Sequence, residues 1–151
     1  MNTRPTPPLR ILIVEDEPLL AMDIEFMVEN EGHKVVAEAA SLYDVEELED
    51  STAPNVAFVD IQLAKGTSGL DVNQLIQKRW PQTIIVFVTA NPKKIPDDFA
   101  GAHGVIAKPF TESGFESALR YLQEGLCTPP PLSAQPGSFV ASPAFAASWR
   151  D

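Results

Sequence analysis

Five side chains of types that do phosphate and metal chemistry stand at or just beyond the ends of short apolar runs. Glu15 and Asp16 follow residues 11–14, Asp60 follows 56–59, Thr89 closes 83–88, and Lys108 follows 104–107. Carboxylates brought close together repel and raise one another's pKa values. A hard cation resolves that conflict. Mg²⁺ (or Mn²⁺) prefers oxygen ligands and binds through one or two carboxylates together with waters and phosphate oxygens. An Asp60 kept ionised in this way is a nucleophile toward phosphorus. The cation, the Lys108 ammonium and the Thr89 hydroxyl would stabilise the oxygens of the transferring group. The set therefore reads as a phosphoryl-transfer site, with Asp60, Thr89 and Lys108 acting and Glu15, Asp16 and Asp60 around the metal.

Singly, each residue has an ordinary explanation, since acidic residues after a strand also favour a helix N-terminus. Together they require a fold that brings strand ends to one place. The pattern supplies it. Residues 9–14, 34–39, 56–59, 83–88 and 104–107 read as strands, several of them continuously apolar as in parallel sheets buried on both faces. Helical periods separate them: Pro18 suits a first turn, Leu20, Ile24 and Met27 share a face, and Gly32 suits a left-handed cap. Ser41 caps a second helix carrying Val45 and Leu48, Val72, Leu75 and Ile76 mark a third, and Phe115, Ala118, Leu119 and Leu122 stripe the last. Alternation of this kind predicts an α/β, flavodoxin-like, doubly wound (βα)₅ parallel sheet of order 2-1-3-4-5. In that order the first and third strands adjoin where strand order reverses, so their carboxylates converge. The fourth crossover has 18 residues between Thr89 and Lys108, including Pro92 and Pro96, and a shortened or irregular helix is expected there.

Composition narrows the function classes. A net charge of −10 would repel nucleic-acid backbones and anionic membrane surfaces, so neither is an expected partner. No apolar run approaches the length that crosses a bilayer, and the polar, proline-containing opening is unlike a signal peptide, which points to a cytoplasmic protein. The one cysteine, Cys127, cannot form an internal disulfide. His33 and His103, flanking strands, read as solvated loop residues. Residues 1–8 read as a flexible leader and 9–124 as the folded domain. The 27 residues of the tail, 125–151, hold five prolines and two charged residues, too little for an output domain. That tail reads either as a linker or as a docking segment. Ser142-Pro143 is a helix start, Phe145 and Trp149 are four residues apart, and Phe139 adds a third aromatic.

The segments Ile-Leu-Ile-Val-Glu-Asp-Glu-Pro (11–18), Val-Ala-Phe-Val-Asp-Ile (56–61), Phe-Val-Thr-Ala (87–90) and Ala-Lys-Pro-Phe (107–110) resemble those of response-regulator receiver domains, of the stand-alone, single-domain type. The resemblance implies phosphotransfer to Asp60 from a sensor histidine kinase or histidine phosphotransfer protein in a two-component phosphorelay. It implies that Asp16 binds Mg²⁺ directly, Glu15 largely through water, and Gln62 through its backbone carbonyl. It also implies a Thr89 that swings toward the phosphoryl group, a Lys108 that pairs with it, and a cis Lys108–Pro109 bond. Such a chain is a phosphoacceptor that assists its own phosphotransfer and dephosphorylation rather than an enzyme. It signals through a downstream protein target or acts as a phosphate sink, and whether it forms a homodimer stays open. Val105 stands where many receivers carry an inward-turning aromatic residue, so that readout is not expected here.

Other classes fit less well. A haloacid dehalogenase-type phosphatase needs a second carboxylate where Gln62 stands. Dinucleotide binding needs a Gly-rich turn where Glu15-Asp16-Glu17-Pro18 stands. A non-phosphorylated pseudo-receiver, acting only as a protein-binding module, typically lacks an acidic residue or the lysine, and this sequence keeps them all.

Overall fold

A computed structural model describes residues 8–127, 131 and 134–148. Most of the expected leader, and Trp149 in the expected aromatic stripe, lie outside the described residues. Five parallel strands form the core of the sheet: β1 (Arg10–Val14), β2 (Lys34–Ala39), β3 (Val56–Val59), β4 (Ile84–Thr89) and β5 (Gly104–Ala107). Their order is β2-β1-β3-β4-β5, and β6 (Val140–Ala141) extends the sheet beyond β5. The continuous apolar runs are explained by two-sided burial. Side chains alternate across a strand, so Ile11, Ile13, Val56, Phe58, Val86 and Val88 enter one core, while Leu12, Val14, Ala57, Val59, Ile85 and Phe87 enter the other.

Helices α1 (Pro18–Asn30) and α4 (Glu112–Cys127) cover the first face; α2 (Leu42–Glu46) and α3 (Gly69–Arg79) cover the second. Pro18 begins α1, and Gly32 takes φ 86° just beyond its end. In α2, the Ser41 hydroxyl accepts from Asp44 N while the Asp44 carboxylate accepts from Ala40 N, at 3.2 and 2.8 Å. This reciprocal cap fixes a helix of only five residues. The last helix reaches Cys127, into the stretch that composition assigned to the tail, because Leu126 and Cys127 still pack on the first core.

The fourth crossover holds no α-helix. Two 3₁₀ turns, Pro92–Lys94 and Phe99–Gly101, replace it. The second is left-handed throughout, with φ of 58°, 50° and 86° at Phe99, Ala100 and Gly101. Three amides hold this strained turn from α3: Asn73 Nδ2, Gln74 Nε2 and Gln77 Nε2 all donate to the Ala100 carbonyl, at 2.9, 3.2 and 3.0 Å. Ala102 then enters the second core.

The expectation for the two histidines is corrected. His33 is buried and His103 half-buried, and each Nδ1 accepts a strand-edge amide (Leu9 N and Ile85 N, both at 3.0 Å). Backbone groups left over at sheet ends need partners, and the imidazoles supply them. The sheet also has a sixth, antiparallel strand. Part of the tail folds back on the domain: Val140 pairs with Val105, Ala141 with Gly104, and α5 (Pro143–Ser148) follows, capped by the Ser142 hydroxyl. Phe139 is 1% and Phe145 7% exposed, both within the first core.

Candidate functional site

The site is assembled at the carboxyl ends of β1, β3, β4 and β5. The backbone fixes the positions first. Glu15 N donates to Ala39 O at 2.8 Å, Asp60 N to Val14 O at 2.9 Å, and Lys108 N to Thr89 O at 2.8 Å, so every strand end is tied to a neighbour. Ligand atoms of Glu15, Asp16 and Asp60 all lie within 4.8 Å of one another. Glu15 and Asp60 are buried, and Asp16 is more open to solvent. The Lys108 ammonium bridges the two buried carboxylates, 2.9 Å from Glu15 Oε1 and 3.1 Å from Asp60 Oδ2.

Asp60 is held from two sides. Its Oδ1 accepts from Ile61 N at 2.7 Å, which leaves Oδ2 on the side of Lys108. Gly69, the first residue of α3, lies against its carbonyl. A Cβ at Gly69 would fall 2.0 Å from Asp60 O, and Gly69 N donates to Ile61 O at 2.7 Å. The backbone approach leaves room only for hydrogen. The sequence reading passed over this positioning role, although a glycine at a helix's first residue was its signal.

Thr89 is buried at the end of β4, where its Oγ1 accepts from Asn91 N at 3.0 Å. The threonine is therefore tied to the first residues of the irregular crossover, and its own O–H remains a donor. Gln62 stands exposed two residues beyond Asp60, paired with Ser68 in an isolated bridge. The Lys108–Pro109 bond is cis.

The electrostatics favour a cation. Burial pushes the Glu15 carboxyl up to about 7, assisted by the Asp60 charge and opposed by hydrogen bonds from Lys108 and Glu17 N. Burial would depress the Lys108 ammonium, but its bonds to Glu15 and Asp60 prevail and hold it above its ordinary value. One ammonium, bonded to two of them, thus faces a cluster of three carboxylates. A donor set of hard oxygens with excess negative charge fits Mg²⁺, whereas a soft-metal site would need thiolate or imidazole ligands.

Comparison with known proteins agrees with this geometry. A family model of the response regulator receiver domain matches residues 11–120. The phyllosphere-induced regulator PhyR of Methylorubrum extorquens is 38% identical over 112 residues, covering 72% of this chain and 41% of that protein. The transcriptional regulatory protein PdtaR of Mycobacterium tuberculosis is 29% identical, covering 74% and 55%. The chain thus spans about half the length, or less, of these curated relatives. Among solved structures, the receiver domain of Erythrobacter litoralis PhyR superposes with a TM-score of 0.69 at 28% identity, covering 83% of this chain and 97% of that one. Brucella abortus PhyR superposes with a TM-score of 0.64 at 34% identity, covering 78% and 48%. With its strand order, its converging strand-end residues and a family match across most of its length, this chain belongs to the response regulator receiver domains of two-component signalling.

Proposed function

We propose that Asp60 is the phosphoacceptor of a bacterial phosphorelay, charged by the phosphohistidine of a sensor histidine kinase or histidine phosphotransfer protein. The observation that carries this reading is the Lys108 ammonium, set between Asp60 and Glu15 at the rim of a three-carboxylate cluster. An Asp60 oxygen attacks phosphorus as the phosphorus–nitrogen bond of the donor breaks. The donor imidazole keeps the electron pair, and an acyl phosphate remains on Asp60. Ile61 N–H holds Oδ1 and so orients the carboxylate. Lys108 is placed to follow the charge from the carboxylate to the new phosphoryl oxygens, and the Thr89 O–H to donate to another. Glu15, Asp16, Asp60 and the Gln62 carbonyl would hold Mg²⁺, which when bound supplies further charge neutralisation at those oxygens.

On this reading the chain is no enzyme for a separate substrate. It assists its own phosphorylation and dephosphorylation. A docking face for the donor is at hand: Leu19, Met22 and Phe26 are exposed at i, i+3 and i+7 on α1, beside the site. Large apolar side chains left in water on one helix face suit a partner helix. No described helix is long and apolar enough to cross a membrane, in keeping with phosphotransfer in the cytoplasm. Phosphotransfer profiling against purified histidine kinases tests the proposal. One kinase should lose label rapidly to the wild-type chain and not to Asp60→Ala. Equal labelling of both chains, or of neither with every kinase, would leave a protein-binding module without phosphotransfer.

A further inference from the structure

Three residues of α3 lie in one row along the helix. Gly69, Asn73 and Gln77 are four apart, a spacing that stacks positions on a single face. The row has a different partner at each end. At its start, Gly69 rests on the Asp60 carbonyl, where a Cβ would fall 2.0 Å from the oxygen, and its N–H donates to Ile61 O at 2.7 Å. One and two turns on, Asn73 Nδ2 and Gln77 Nε2 donate to the Ala100 carbonyl at 2.9 and 3.0 Å. Gln77 Nε2 also reaches Asn73 Oδ1 at 2.9 Å, and Gln74 Nε2 adds a longer bond to Ala100 O at 3.2 Å. One helix face thus joins the acceptor loop to the last turn of the fourth crossover.

That turn is costly by itself. Phe99 and Ala100 both take positive φ, a region unfavourable for any residue with a Cβ. Gly101 follows at φ 86°, and a Cβ there would fall 2.8 Å from the Gln77 amide. Against this strain stand the clamp bonds. Asn73 is fully buried, and a buried amide that loses its partner is unfavourable too. The two terms oppose each other, as in a latch. The crossover also has room to move, since its Ile95, Pro96 and Phe99 line an apolar cavity of about 530 Å³ with Val105, Phe110 and Val140 among its other walls.

We propose that α3 is a lever between Asp60 and the crossover, with Asn73 and Gln77 as positioning residues that act through the Ala100 carbonyl. The inference rests on the reading of Asp60 as the phosphoacceptor. A phosphoryl group on Asp60 adds bulk and charge at the acceptor loop, against which Gly69 has no slack. The helix shifts with the loop, its amides draw away from Ala100, and the strained turn relaxes toward the cavity. This route is separate from the Thr89 hydroxyl, which accepts from Asn91 N at the other end of the same crossover. The site therefore holds the crossover twice, at Asn91 through Thr89 and at Ala100 through α3.

The test reads hydrogen exchange of the Ala100 and Ala102 amides in the full chain, with Mg²⁺ and fluoroberyllate standing in for a phosphoryl group. These amides donate to Asp98 Oδ1 and Phe99 O, so their exchange reports the turn itself. Fluoroberyllate should speed it by about threefold or more in the wild type, as local opening does. The same response should persist in Thr89→Ala once fluorine NMR shows the probe bound. Gln77→Ala weakens the clamp, and adding Ala100→Gly relieves the left-handed strain and keeps the turn closed. This double variant should bind the probe yet show no change in exchange. Circular dichroism melts verify that each variant is folded. A response lost in Thr89→Ala and kept in the double variant would assign the coupling to the threonine and overturn the lever. Bound fluoroberyllate with no response in the wild type would overturn it as well. No bound fluorine resonance on the wild type would instead overturn the acceptor reading, and the lever with it.

Discussion

The Lys108 ammonium lies 3.1 Å from the Asp60 carboxylate and shares its charge with Glu15, 2.9 Å away on the other side. It is therefore the internal counter-ion of the cluster, and its removal leaves buried negative charge uncompensated. Lys108→Met should lower stability by about 1–3 kcal/mol in the absence of divalent cations, the cost of a buried charged group losing its partner. Added Mg²⁺ should raise the Tm of the variant more than that of the wild type, because the cation supplies the missing charge. Equal Mg²⁺ increments in both melts would remove Lys108 from the charge balance.

The two N-terminal acidic residues should differ in their hold on the metal. Asp16 is the more open to solvent, while Glu15 is buried and already bonded to Lys108 and Glu17 N. Asp16→Asn should weaken Mg²⁺ binding more than Glu15→Gln in a calorimetric titration. Equal losses would argue against a direct role for Asp16.

Gly69→Ala should destabilise the fold by about 1–3 kcal/mol or more through overpacking, since its Cβ would meet the Asp60 carbonyl. Urea unfolding measures this. The phosphorylation rate should fall too, because the displaced backbone carries the acceptor. A variant as stable and as readily phosphorylated as the wild type would mean that the loop yields without cost.

Burial lowers the pKa of both His33 and His103. The unfolded chain therefore binds protons at these sites near pH 6.5 while the folded chain does not. Their contribution to stability is present above that pH and is lost as pH falls through it. Glu15, whose carboxyl burial raises to about 7, acts in the opposite sense between that pH and its unfolded value, and Glu38, which burial also raises, adds to it in the same direction. The histidine share is isolated by His33→Asn and His103→Asn, in which an amide oxygen can accept from Leu9 N or Ile85 N. The double variant should lose less stability than the wild type between pH 7 and 5.5. Parallel pH curves would show that the imidazoles titrate alike in both states.

The site was largely legible because a parallel sheet turns strand order into position. Glu15, Asp60, Thr89 and Lys108 each end a strand, so the strand order 2-1-3-4-5 brings them together. The irregular crossover could be read from Pro92 and Pro96. Its left-handed turn could not, because the three amides that hold it come from Asn73, Gln74 and Gln77 on another element. The histidines misled because a lone imidazole beside a strand looks solvated until the backbone amide it accepts is known. Val140–Ala141 is too short to show a period, and only the Ser142-Pro143 helix start with the aromatics Phe139, Phe145 and Trp149 hinted at docking. Gly104 could not reveal its role before the Phe139 ring was placed against it.

Mass spectrometry of the intact chain after exposure to a small phosphodonor tests the central claim most directly. With Mg²⁺ present, the wild type should gain a single phosphoryl group, mapped to Asp60 and labile as an acyl phosphate. Without a divalent cation, or in Asp60→Asn, the adduct should be absent. An adduct of the same mass and yield in Asp60→Asn would contradict the account.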